Sequence, residues 1–232
     1  MRLTRALLAC GIAGPVLFST VVLIEGATRP GYSAWRNAAS QLALGDQGWM
    51  QTVNFFVGGL LFAGFAIGLW RTLRSGPAST WAPRLIAGMG VCFVLAGIFP
   101  INPGLGYPPG VAPSYSLHGA IHFVAATLLV VQLCALCFVL ARRFAADAGW
   151  TGWAPWSRAI GVIVPVFYVA TVVVTSIDPG GMGVAAWNGV LQRIALFSGF
   201  GLLSLVAWQV SARELVGPGL ADPDDSVHEG GS

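Results

Sequence analysis

The sequence contains no lysine, and charge of either sign is scarce: only 9% of its 232 residues are charged. Soluble globular domains carry roughly 25%. With 56% hydrophobic residues and a mean hydropathy of +0.74, the chain cannot cover itself with polar surface, so lipid is its expected solvent. The basic residues are all arginine and are scattered along the chain. A net charge of +3 without a basic stripe gives no reason to expect a nucleic-acid partner. Cysteine is sparse too: Cys10, Cys92, Cys134 and Cys137 all lie in apolar runs, which disfavours a disulfide framework and a zinc ribbon. The CxxC spacing of Cys134 and Cys137 falls within an apolar helix and points to packing rather than redox chemistry. Neither a phosphate loop nor a dinucleotide fingerprint follows a predicted strand, because no strand is predicted.

Long apolar runs take the place of these features. A spanning helix needs about 20 mostly apolar residues. Six stretches qualify, at about 6–25, 50–70, 84–100, 117–141, 158–177 and 187–210. The expected fold is all-α: a six-helix transmembrane bundle occupying residues 1–213. The Gly- and Pro-rich remainder, 214–232, carries Asp222, Asp224, Asp225 and Glu229 and reads as a disordered acidic tail. One side of the spans holds Arg2, Arg5, Arg71, Arg74, Arg84, Arg142, Arg143, Arg158 and Arg213. The other holds Arg29 and Arg36, with Arg193 inside a span. The positive-inside rule then puts both termini in the cytoplasm of a bacterial-type inner membrane, with the lipid bilayer as the constant partner. Tryptophans cluster at the expected interfaces: Trp35, Trp49 and Trp187 at outer ends, and Trp70, Trp81, Trp150, Trp153, Trp156 and Trp208 at inner ends or loops. The first span has the basic start of a signal peptide, but it is as long as a full span and no clear cleavage site follows it. Leu7 to Gly11 resembles a lipoprotein box, with too few apolar residues before Cys10.

The spans carry an internal repeat. Ile101-Asn102-Pro103-Gly104 after the third is echoed by Ile177-Asp178-Pro179-Gly180 after the fifth. His118-Gly119 and His122 are echoed by Asn188-Gly189 and Gln192. The bundle therefore reads as hairpin repeats of one orientation. The repeat also places Glu25, Asn54, Asn102, His118, His122, Asp178, Asn188, Gln192 and Arg193 in one depth zone near the outer ends. Polar groups at such depth usually face a bundle interior or a wet cavity, so an outward polar pocket is expected. Two loops can cover it. Residues 101–116 are proline-rich and cannot be regular helix. Residues 33–46 place Trp35, Ala38, Ala39, Leu42 and Ala43 at helical spacing, with Arg36 and Asn37 pointing elsewhere, as in a helix lying in the interface.

Several chemistries compete for these residues. His118 and His122 stand at i and i+4 and could chelate a transition metal such as zinc, with Asp178, or less readily Glu25, as third ligand. The alternative is that both rings hydrogen-bond loop carbonyls inside the bundle. A haem held by two histidines is disfavoured, because the remaining one, His228, is in the tail. Ser40, Ser114 and Ser116 offer hydroxyls without a GxSxG elbow. Gly64 and Gly68 form GxxxG, which close helix packing explains. Arg193 needs a partner at its depth: Asp178 is the first expectation and Glu25 the second, with water and carbonyls the alternative. The readings left open are a binding protein for a small or lipid-like molecule, a metal-dependent membrane hydrolase and a small transporter subunit.

The motifs Arg29 to Ser33, Ser40-Gln41-Leu42, Gly45 to Trp49, Asn54-Phe55, Phe99-Pro100, Gly106 to Gly110, His118-Gly119, His122 and Gln192-Arg193 together resemble the bacterial and archaeal family called domain of unknown function 998. The resemblance implies a compact multi-pass membrane protein and no particular reaction. It also implies acids at two positions where this chain has Asn102 and Phe123.

Overall fold

The computed structural model describes residues 2–216. It contains α1 (Arg2–Thr28), α2 (Gly48–Thr72), α3 (Trp81–Ile98), α4 (Leu117–Ala146), α5 (Trp153–Ile177) and α6 (Asn188–Val216). Short 3-10 turns lie at Ala39–Ala43 and Val184–Trp187. All six helices are long and apolar enough to cross a membrane. Their ends follow local chemistry. α3 stops before Pro100, because the residue preceding a proline is pushed out of helical geometry. α4 starts at Ser116, whose hydroxyl accepts the Gly119 N–H at 3.0 Å and satisfies an orphan donor of the first turn. Pro83 falls in the first turn of α3, where a missing N–H leaves no bond unmade. Residues 217–232, with most of the expected acidic tail, lie outside the described residues.

Each helix packs against the next in sequence, and α6 returns to α1, which closes a ring. Small residues let the backbones approach. A Cβ added to Gly59 of α2 would lie 2.9 Å from the Gly90 oxygen of α3, and one added to Gly90 would lie as close to the Gly59 oxygen. Gly68 similarly meets the Leu8 backbone of α1, so the GxxxG pair of α2 serves helix packing. Inside the ring stands a phenylalanine cluster. Phe93 lies with its centroid 4.9 Å from that of Phe18 and 5.0 Å from that of Phe62, and Phe55 and Phe200 complete the group. Apolar side chains such as Leu60, Val91, Val131 and Val166 are exposed around the outside, as lipid-facing positions would be.

The 33–46 segment departs from the expected interfacial helix. Only Ala39–Ala43 is helical, and that turn is 3-10. Ala38, Ala39 and Leu42 of the expected apolar face are buried, but Asn37 is fully buried with them while Trp35 is exposed. The Asn37 side chain explains it. Its Oδ1 accepts from the Ser33 N–H at 2.9 Å, and its Nδ2 donates to the Leu105 carbonyl at 3.0 Å, which turns the chain inward before a helix can form. Trp150 is also buried, stacked on Phe144 at 4.9 Å.

Candidate functional site

One end of the ring is closed by residues 29–47, between α1 and α2, together with residues 99–116, between α3 and α4. The two connections are stitched together by side-chain amides. Asn37 reaches Leu105, and Gln41 donates to the Gly104 carbonyl at 2.6 Å. Gly31, at φ +74°, sits against Pro109 where a side chain would collide with the proline ring. Leu105 holds φ +53°, a conformation rare outside glycine, and its carbonyl is the acceptor for Asn37.

Two arginines fasten this cap to the bundle. Arg29 is buried and pairs with Glu25 at 2.8 Å. Its remaining donors reach the carbonyls of Leu42 at 3.2 Å and Gln47 at 3.1 Å. Arg193, from α6, donates to the carbonyls of Ala34 at 2.8 Å and Asn37 at 3.1 Å, and to the Tyr32 hydroxyl at 2.7 Å. One guanidinium thus holds the far end of the 32–47 segment and the other its near end. Burial pushes the Tyr32 phenol above its ordinary value, and the neighbouring Arg193 opposes that shift.

Beneath the cap lies a cavity of about 60 Å³. All six helices line it, through Phe18, Phe55, Phe93, Ala125, Tyr168 and Ala195 among others, and Ala39 and Ser40 of the cap roof it. Its wall is mostly apolar. His122, Gln192, Ser40, Tyr168 and Cys92 supply the polar atoms. His122 is buried, with Nδ1 2.8 Å from the Phe99 carbonyl. The Gln192 Oε1 accepts the Ala39 N–H at 2.7 Å, so α6 also holds the roof directly above the cavity.

The family described as Protein of unknown function (DUF998) matches residues 12–209, which run from α1 to α6. The chain belongs to this family. No curated protein and no solved structure matches it. In this DUF998 protein the residues that carry the resemblance include the fasteners of the cap (Arg29, Tyr32, Gln41, Arg193) and two polar residues of the cavity (His122, Gln192).

Of the nine candidate residues, His122 and Gln192 line the cavity, and six others bond to the frame around it. Glu25 pairs with Arg29. Asn54 donates to the Phe18 carbonyl at 3.3 Å and to the Gln51 side chain at 3.1 Å. Asn102 accepts from the Ser116 N–H at 3.0 Å and hydroxyl at 2.8 Å, anchoring the start of α4. Asn188 bridges the Arg36 carbonyl and the Thr175 hydroxyl. Asp178 accepts from the amides of Gly181, Gly183 and Ala185 within its own loop. Those amides, Gly183 first, hold its carboxyl below the ordinary carboxylate range.

Two expectations are corrected. Arg193 has neither Asp178 nor Glu25 as partner; it is held by carbonyls and a phenol, because Asp178 folds back on its loop and Glu25 is taken by Arg29. The two histidines do not both turn inward: His122 is buried, whereas His118 is exposed beside Phe99. His118 lies in the exposed first turn of α4 beside Ser116 and Leu117, and His122 lies one turn deeper, about 6 Å along the helix, where the bundle closes around it. Among the described residues no group of three or more His, Cys, Asp or Glu is placed to hold a metal ion.

Sequence reasoning passed over Arg29, Tyr32, Asn37, Gln41 and Tyr168 as site residues. Arg29 read as an orienting charge, and the others sit in loops or apolar runs. A buried-cation signal was nevertheless present, in an arginine four residues after the terminal acid of the first span.

Proposed function

We propose that this protein is a membrane-embedded binding protein, holding a small or lipid-like molecule in the cavity under the cap, in a sensing or accessory role. The observation that carries this reading is the cavity itself: a mostly apolar space inside the helix ring with polar side chains, led by His122 and Gln192, at the capped end. Ligand sites are characteristically apolar concavities with a few convergent polar groups. A water needs about 10–15 Å³ of such space, so the cavity takes on the order of four waters, or a polar head with its first carbons. Away from the cap the interior is filled by Phe62, Phe65, Leu69, Leu133 and Leu136, all fully buried. That apolar plug favours binding over passage. Arg71, Arg74, Arg142, Arg143 and Arg158 stand at the other end, which supports a cap outside the cell and both termini in the cytoplasm.

The test is native mass spectrometry of the protein extracted in its own lipid. A retained small or lipid-like molecule is expected in the wild type and not in Ala195→Phe, which fills the cavity. Ala126→Phe serves if the first variant fails to fold. Identical retention by wild type and a folded, filled variant would overturn the reading.

A further inference from the structure

The polar atoms of the cavity identify the kind of head group it accepts. Among the described residues its lining contains no Asp, Glu, Lys or Arg. The two cations nearest in the fold, Arg29 and Arg193, are committed to Glu25, backbone carbonyls and Tyr32. A buried charge without a partner is strongly disfavoured, and a charged head finds no permanent counter-charge here.

What remains is neutral and mixed in character. The Phe99 carbonyl can only accept, so the proton of a neutral His122 ring sits on Nδ1 and Nε2 keeps a lone pair. The Gln192 Oε1 is engaged by the Ala39 N–H, which leaves the amide nitrogen as donor. Ser40 adds a hydroxyl able to do either, whereas the Tyr168 hydroxyl is already paired with Thr127 at 2.6 Å. The lining of this apolar cavity therefore offers an acceptor, a donor and an ambivalent hydroxyl.

We infer that the cavity selects an uncharged amphiphile whose head both donates and accepts: a hydroxyl, or a hydroxyl beside an ester, on an aliphatic chain. Aliphatic alcohols, seated by the head and first carbons, are the chemical class; ionised phosphate and carboxylate heads are excluded. This inference rests on the binding reading above. Specificity of this kind comes from the cost of leaving buried polar groups of the site unpaired.

The experiment uses the full chain in lipid nanodiscs and three photoreactive probes of equal chain length, ending in a hydroxyl, a phosphate or a carboxylate. The alcohol alone is expected to label peptides carrying Ala125 to Val130 or Ala195 to Leu196, and octanol should displace it while octyl phosphate does not. Gln192→Glu keeps the acceptor that meets Ala39 but removes the donors and adds charge. It should lower alcohol labelling roughly tenfold, the loss expected for one buried hydrogen bond. Labelling of the same peptides by the phosphate or carboxylate probe, equal to that by the alcohol, would overturn the head-group assignment and leave the binding reading standing. Absence of cavity labelling by every probe, in protein that melts normally, would overturn both.

Discussion

Replacing Arg193 by methionine keeps the apolar stem and removes only the guanidinium, so it isolates what that group holds. Three of its bonds cross to the cap: the carbonyls of Ala34 at 2.8 Å and Asn37 at 3.1 Å, and the Tyr32 hydroxyl at 2.7 Å. Hydrogen bonds to a charged group contribute about 1.5–3 kcal/mol each where well buried. Arg193 is half-buried, so the sum must be discounted for water taking over some of these acceptors. A loss of about 2–4 kcal/mol is expected for Arg193→Met. In a chain of this size that corresponds to roughly 4–16 °C in melting temperature. The assay is thermal unfolding in detergent, run as two double-mutant cycles. With Asp178→Asn the effects should add, since Asp178 engages its own loop. With Tyr32→Phe they should fall short of additivity by about 1 kcal/mol, since both changes remove the same bond. Coupling to Asp178 together with additivity at Tyr32 would refute the cap-fastening argument.

The remaining predictions concern the ion pair, the loop acid and the orientation. Arg29→Met leaves Glu25 buried without its cation and should cost about 3–5 kcal/mol, more than Glu25→Gln, as read by the same melting assay. The depressed carboxyl of Asp178 contributes stability that is present above the ordinary carboxylate value of about 4 and is lost as pH falls through its lower folded value. Wild type should therefore show an acid-side fall in melting temperature that is smaller in Asp178→Asn. A reporter active only in the cytoplasm should work when fused after Arg74 or Arg143 and fail after Asp46, Gly110 or Gly181; activity at Gly110 contradicts the proposed orientation.

The helices were legible because each apolar run is bounded by arginine, proline or tryptophan, and bilayer thickness fixes their length. Of the polar residues that the sequence places near the span ends, Glu25, Asn54, His122 and Asn188 are buried and Gln192 lines the cavity. Partners were not, because most acceptors in the cap are backbone carbonyls, which no sequence letter marks. Arg193 illustrates this. Its depth in the span points to an acid, yet Ala34, Asn37 and Gly189 supply oxygens that any residue could provide. The 33–46 segment failed for a related reason: its apolar spacing suits a helix, but Asn37 and Gln41 spend their side chains on the neighbouring loop, and those long-range bonds override a local pattern.

An occupied cavity beneath the cap is tested most directly by a side-chain-resolution density map of the protein in lipid. Continuous density is expected between Phe18, His122, Ala195 and Gln192, with its polar end at His122 and Gln192 and without a charged side chain in contact. Side chains collapsed into that space, with Gln192 no longer bonded to the Ala39 amide, would contradict it.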